Sequence, residues 1–166
     1  MKPKNLVMAG LVAASMVLPI STSQAAQPGP YVGAGFGQSD DVILDETESS
    51  YKIFAGVNLS EFIGLELSYV DLGRFANDQL SQDGIAYEVI GYLPLDHNVD
   101  LFGRAGFYNW VVADELSSNE GTEATFGVGL RVQLNPALSV RAEYQSFLDV
   151  DGGDVDLYSA SLSLHF

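Results

Sequence analysis

The sequence contains no cysteine, few basic residues and, beyond its first 20 positions, no long apolar run. The absence of cysteine excludes a disulfide framework and thiol chemistry. Lysine and arginine together number 7 against 22 acidic residues, which gives a formal net charge of −15. Nucleic-acid binding depends on cationic side chains that neutralise phosphates, so the charge balance excludes nucleic acid as a partner.

The one apolar run lies at the amino terminus and has the pattern of a secretory signal. Lys2 and Lys4 precede the run at 6–20, and Ser23 and Ala25 supply the small residues of a cleavage site before the next alanine. The run is shorter than the roughly 20 apolar residues that a spanning helix needs. This favours a cleaved signal over a membrane anchor.

We therefore predict a signal peptide at 1–25 and one mature domain at 26–166, and loss of the two lysines takes the formal net charge from −15 to −17. The mature segment reads as short stretches of alternating apolar and polar residues separated by turn-forming residues, which is typical of β-strands with two different faces. Eight strands are predicted, at about 31–38, 50–59, 62–70, 85–93, 99–111, 124–134, 138–147 and 156–166.

An even set of such strands favours an eight-stranded antiparallel up-and-down transmembrane β-barrel, because a closed barrel pairs every backbone polar group within lipid. The links after strands two, four and six are short, whereas the other four are longer and hold most of the acidic residues. Short turns belong in the periplasm, so the acidic links are predicted on the cell surface. There, divalent cations are expected to bridge them to lipopolysaccharide phosphates.

The last strand has an apolar face and ends on an aromatic residue. The residues of this face are Tyr158, Ala160, Leu162, Leu164 and Phe166. Such an ending resembles the carboxy-terminal assembly signal of bacterial outer-membrane β-barrels. The resemblance implies transfer by periplasmic chaperones and recognition by the barrel-insertion machinery, and it places the monomer in outer-membrane lipid and lipopolysaccharide.

Basic residues within the strands indicate what fills the barrel. A lysine or arginine that faces lipid at mid-depth costs about 2–4 kcal/mol, so these side chains are predicted to point into the lumen, together with glutamates on the same strand faces. The predicted lumen network is Lys52, Glu66, Arg104, Arg131, Arg141 and Glu143. An uncompensated charge there would cost several kcal/mol.

Four cations and two carboxylates do not balance, which leaves the pairing scheme open. Glu88, water or inward loop acids could supply the remainder, but the pattern of strand four places Glu88 outside with Ile90 and Tyr92. An eight-stranded barrel has an interior about wide enough for side chains to fill, so the network predicts a closed lumen. Aromatic residues near strand ends are expected to form interfacial girdles. They are Tyr31, Tyr51, Phe62, Tyr69, Tyr92 and Tyr158.

Several short motifs together carry a family resemblance across the whole mature segment. They are Tyr31-Val-Gly-Ala-Gly35, Lys52-Ile-Phe-Ala-Gly56, Leu65-Glu-Leu-Ser-Tyr-Val-Asp-Leu-Gly73, Gly91-Tyr92, Arg104-Ala-Gly106 and Val140-Arg-Ala-Glu-Tyr-Gln145. The segment resembles the small outer-membrane barrels typified by the transmembrane domain of outer-membrane protein A. No periplasmic peptidoglycan-binding domain is expected after the last strand.

In that family, a glutamate on strand three, an arginine on strand five and an arginine–glutamate pair on strand seven line the lumen, and the resemblance implies the same here. Glu66, Arg104, Arg141 and Glu143 occupy these positions. The chain departs from the family at two others. Arg131 occupies a position where outer-membrane protein A has an acidic residue, and the valine at position 89 occupies one where it has a lysine. The pairing scheme of outer-membrane protein A therefore does not transfer to this chain.

Three functions are compatible with such a barrel: a structural or surface-interaction role, a narrow pore for ions or small solutes, and lipid A modification. An acyl hydrolase needs Ser, His and an acid together near the outer rim. His97 and His165 are both predicted at the periplasmic end, which disfavours enzymatic activity. The acid-rich segment at 149–156 lacks the spacing of a calcium loop and is interpreted as solvated. We predict no metal and no cofactor, and favour the non-enzymatic structural or surface role.

Overall fold

The structure of the protein, a computed structural model, describes residues 28–41, 46–75, 80–113, 118–150 and 153–166. The predicted signal peptide lies outside the described residues. The strands are β1 Gly29–Asp41, β2 Glu46–Asn58, β3 Ile63–Phe75, β4 Leu80–Asp96, β5 Val99–Ala113, β6 Ser118–Asn135, β7 Leu138–Val150 and β8 Gly153–His165.

Each strand pairs antiparallel with the next, and β1 also pairs with β8 to close the barrel. The closing register runs from Tyr31 opposite His165 to Asp41 opposite Val155. Closure leaves no strand edge with unpaired backbone groups. The prediction of an all-β, eight-stranded antiparallel up-and-down barrel is confirmed. No helix within the described ranges is long and apolar enough to cross a membrane.

Three tight connections lie at one end of the barrel, at 59–62, 97–98 and 136–137, where both ends of the described chain also lie. We call this the turn end and the opposite end the far end. Short polar side chains stabilise the turns by accepting backbone hydrogen bonds. The Asn135 Oδ1 accepts from the Ala137 amide at 2.9 Å, and the Ser60 Oγ accepts from the Phe62 amide at 3.2 Å.

The strands extend further toward the far end than predicted. Residues assigned to long acidic links, such as Asp71, Asp83, Glu123 and Asp154, lie in β3, β4, β6 and β8. Backbone pairing between neighbouring strands does not depend on side-chain polarity, so acidic and glycine-rich segments remain in the sheet. Residues 42–45, 76–79, 114–117 and 151–152 lie outside the described residues.

Outward side chains form an apolar band that ends in an aromatic ring. The ring consists of Phe36, Tyr51, Tyr69, Phe107, Tyr144 and Tyr158. Toward the far end, the outward positions that follow are polar. The Tyr69 hydroxyl donates to Asp83 at 3.1 Å, and the Tyr144 hydroxyl donates to Asp156 at 2.9 Å. This change from apolar to acidic marks one border of a membrane-exposed band.

Two members of the predicted girdle were assigned to the wrong face. Tyr31 and Tyr92 are 2% and 5% exposed and lie in the lumen. Tyr31 contacts Phe54 and His165 inside the barrel, and Tyr92 packs on Phe102. An aromatic residue near a strand end therefore did not suffice to identify a lipid-facing position.

Candidate functional site in the barrel lumen

The structure buries all six predicted lumen residues. Five of them join Glu88 in one contiguous cluster, which we call the ion layer. Its members are Lys52, Glu66, Glu88, Arg104, Arg141 and Glu143. They come from β2, β3, β4, β5 and β7, whose inward positions meet at mid-lumen.

Arg104 is the centre of the ion layer because its guanidinium contacts three carboxylates. Its Nη2 donates to Glu66 Oε1 at 2.7 Å, its Nη1 to Glu143 Oε2 at 2.9 Å, and its Nε to Glu88 Oε1 at 3.0 Å. None of these side chains is exposed to solvent. Charge-assisted hydrogen bonds of this kind are about twice as strong as neutral ones.

The other two cations of the ion layer are Arg141 on β7 and Lys52 on β2. Arg141 donates through Nη1 to Glu66 Oε2 at 2.8 Å, and its guanidinium carbon lies 4.0 Å from the centre of the Phe54 ring. Lys52 pairs with Glu143. The Tyr31 hydroxyl donates to Glu66 at 2.8 Å.

Arg131 does not join the ion layer. It forms a separate pair with Asp100, donating from Nε at 2.9 Å and from Nη2 at 2.7 Å to the same carboxylate oxygen. Its guanidinium also lies 3.9 Å from the centre of the Tyr92 ring. Asp100 was missed, although it shares the strand face of Phe102 and is two residues from it. Extending the alternation of strand five from Phe102 to residue 100 would have placed Asp100 in the lumen.

Strand four has the opposite orientation to the one predicted. Glu88, Ile90 and Tyr92 face the lumen, while Tyr87 and Val89 are 50% and 54% exposed. Both faces of this strand are apolar near its middle, so alternation alone could not choose between them. Glu88 determines which face of β4 is inward, because its carboxylate has a cationic partner in the lumen and would be a costly unpaired charge in lipid.

Inward Glu88 and Asp100 resolve the predicted charge imbalance. The ion layer holds three cations and three carboxylates, and the Arg131–Asp100 pair adds one of each. The valine at position 89 faces outward, so it cannot take the lumen role that the family's lysine would imply.

The residues of the predicted assembly signal share the outward face of β8. Tyr158, Leu162, Leu164 and Phe166 are 52%, 47%, 48% and 78% exposed, and Ala160 is exposed between them. Their polar neighbours on β8 face the lumen. The arrangement presents a continuous apolar strip to the lipid at the β8–β1 closure.

The two histidines lie at the turn end. His97 is exposed in a turn, with its Nδ1 3.0 Å from Asp96 Oδ1. His165 Nε2 lies 2.8 Å from the Ser139 Oγ, but Ser139 is fully buried. The Ser139 hydroxyl therefore lies inside the barrel at the turn end. Within the described ranges, no cluster of three metal-ligating side chains occurs.

Comparisons with known proteins agree with this architecture. The family model of the outer membrane protein β-barrel domain matches residues 10–166. A search of curated proteins found no match. Among solved structures, the amino-terminal β-barrel domain of Pseudomonas aeruginosa OprF has a TM-score of 0.64 at 14% identity, covering 84% of this chain and 100% of that one.

Two further structures are similar in fold. Neisserial surface protein A has a TM-score of 0.61 at 18% identity, covering 83% of this chain and 97% of that one. The attachment invasion locus protein Ail of Yersinia pestis, solved with the heparin analogue sucrose octasulfate, has a TM-score of 0.56 at 15% identity, covering 85% and 100%. The chain belongs to the outer membrane protein β-barrel domain family and is a small, OmpA-like barrel of the bacterial outer membrane.

Proposed function

We propose that this protein is a non-enzymatic outer-membrane barrel with a structural or surface-interaction role, whose lumen is closed. The observation that carries the proposal is the ion layer, a charge-neutral cluster across mid-lumen whose described side chains are at most 1% exposed. Separating its pairs would leave buried charges without partners, at a cost of several kcal/mol each. A lumen filled in this way supports a stable scaffold.

Ion efflux tests the closed lumen. Vesicles loaded with potassium and carrying the refolded mature barrel are expected to retain the ion as well as protein-free vesicles do. Heat-modifiable migration on a gel verifies that the barrel is folded in the same sample. Efflux that rises with the amount of folded protein contradicts the closed lumen.

A narrow pore is the competing function, and one feature favours it. Arg104 contacts three carboxylates, so a shift of its guanidinium could exchange partners and open a path. The efflux measurement separates the two, because a pore leaks and a closed scaffold does not.

The surface role is supported by the chemistry at the border of the apolar band. Asp71, Asp83 and Asp156 share the outward strand faces just beyond the aromatic ring. With the turn end in the periplasm, this border meets the lipopolysaccharide headgroups, and divalent cations would bridge the carboxylates to the phosphates.

Chelation tests this bridge. Removing divalent cations is expected to increase protease cleavage at the far end of the wild type, whereas Asp71→Asn with Asp83→Asn is expected to be cleaved already before chelation. Asp96→Asn, an exposed acid at the turn end, is the matched control and should behave as wild type. Unchanged cleavage of the wild type after chelation rules the bridge out.

The assembly signal makes a separate prediction about a partner. Phe166→Ala is expected to reduce barrel insertion in cells several-fold while leaving refolding into detergent unchanged, because the insertion machinery would read the last residue. Phe36→Ala is the control, since Phe36 and Phe166 are both 78% exposed on the outer surface. Equal loss of insertion in the two variants would mean that only lipid contact matters.

A further inference from the structure

The inward side chains of several strands change from charged to apolar between the ion layer and the far end. On β3, Glu66 is followed by Val70 and Leu72, and on β5, Arg104 is followed by Tyr108. On β7, Glu143 is followed by the buried Gln145 and then by Phe147, and on β8 the serines are followed by Leu157 and Val155. On β3, β5 and β7 the charged position therefore has apolar side chains further toward the far end, whereas Lys52 on β2 is followed by the buried Ser50.

These apolar side chains form a packed layer, which we call the apolar seal. Its members are Val70, Leu72, Tyr108, Phe147, Val155 and Leu157, each at most 1% exposed. Tyr108 and Phe147, from β5 and β7, contact each other with ring centres 4.6 Å apart. The Tyr108 hydroxyl lies 3.5 Å from the Val70 carbonyl oxygen on β3. Side chains from four strands thus meet across the lumen.

The lumen on the other side of the ion layer is mixed, because the Arg131–Asp100 pair and buried serines lie beside the packed side chains of Tyr92 and Phe102. Arg141 Nε and Nη2 and the hydroxyls of Ser161 and Ser163 are buried and have no hydrogen-bond partner among the described protein atoms. Arg141 and Ser161 are direct neighbours across β7 and β8. Buried polar atoms of this kind are satisfied by ordered water. Water can therefore be accommodated beside the ion layer. Polar atoms without a partner among the described residues also occur on the far side, at Ser50, Gln145 and Trp110, so the seal is distinguished by its packed apolar cluster and not by a lack of polar partners.

We propose that the apolar seal is a second closure of the lumen, in series with the ion layer and on its far side. Moving an ion through a dry apolar constriction carries a large desolvation cost, and hydrophobic constrictions gate channels by excluding water. Breaking the ion pairs alone therefore leaves the barrel impermeant. This inference rests on the proposed closed lumen and specifies how closure is achieved.

Single-channel recordings of four refolded proteins test the inference. They are the wild type, an ion-layer variant with Glu66→Gln and Arg141→Gln, a seal variant with Tyr108→Ala and Phe147→Ala, and the combination of all four changes. The first three are expected to be silent and the combination to give reproducible current steps. Phe107→Ala, which removes the outward aromatic neighbour of Tyr108, is the matched control and should be silent.

The outcomes separate the two proposals. If the wild type is silent but the ion-layer variant or the seal variant conducts, the two closures do not act in series and the inference is overturned. The proposed closed lumen of the wild type still stands in that case. A silent combination with a folded band also overturns the inference. Current through the wild type overturns the proposed function itself.

Cysteine accessibility provides a second readout that tolerates unstable seal variants, because the chain has no native cysteine. Leu157→Cys is expected to resist a charged, water-soluble thiol reagent in both the wild-type and the ion-layer backgrounds. His97→Cys, in an exposed turn, is the reactive control. Labelling of Leu157→Cys in the ion-layer background would show that the seal admits water and would overturn the second closure.

Discussion

Arg104→Ala is expected to lower the free energy of unfolding by about 3–5 kcal/mol, the range seen when one partner of a buried ion pair is removed. Arg104 is fully buried and contacts Glu66, Glu88 and Glu143. Without it, Lys52 and Arg141 face three carboxylates, so the layer carries an uncompensated negative charge. Equilibrium urea unfolding of the refolded barrel in lipid vesicles measures the loss.

A second change tests whether charge balance causes the loss. Adding Glu88→Gln to Arg104→Ala leaves two cations and two carboxylates, so the double variant is expected to recover part of the stability. A loss below about 1 kcal/mol for Arg104→Ala, the value of an exposed ion pair, would mean that the ion layer is solvated and not buried.

Val89→Arg is expected to destabilise the barrel by about 2–4 kcal/mol, because a cation at the middle of the lipid-facing surface is costly. Val89 lies centrally among the outward positions of β4, between Ile85 and Leu95. The same unfolding experiment measures the effect. The result also tests the face assignment of β4, since the opposite assignment would put this side chain in the lumen.

Ser49→Arg is the control for Val89→Arg. Ser49 is exposed on β2 beyond the aromatic ring, where a cation meets water or headgroups and the expected cost is about 0–1 kcal/mol. Equal costs at the two positions would contradict the proposed placement of the apolar band.

Most of the barrel could be predicted from alternation, but the faces of β4 could not. On β2 and β3, charged Lys52 and Glu66 alternate with apolar residues, so polarity alone separates lumen from lipid. On β4, Ile90 and Val89 are equally apolar although only one faces lipid. The face depends on the partners of Glu88, which belong to strands distant in sequence.

The far ends of the strands were less predictable than their middles, for a related reason. Composition indicated loops around Asp71 and Asp83, yet these residues are direct partners on β3 and β4. Cross-strand backbone pairing fixes the strand ends, and a single sequence does not reveal which distant segments pair. Leu72 and Val155 of the apolar seal lie in these extensions, whereas its other four members lie within the predicted strands.

Single-channel conductance of the refolded wild-type barrel in a planar bilayer tests the central claim, the closed lumen, most directly. The ion layer and the apolar seal together predict no current steps from protein that shows a folded, heat-modifiable band. Reproducible steps from the folded wild type would contradict the closed lumen and make the ion layer a conduction path.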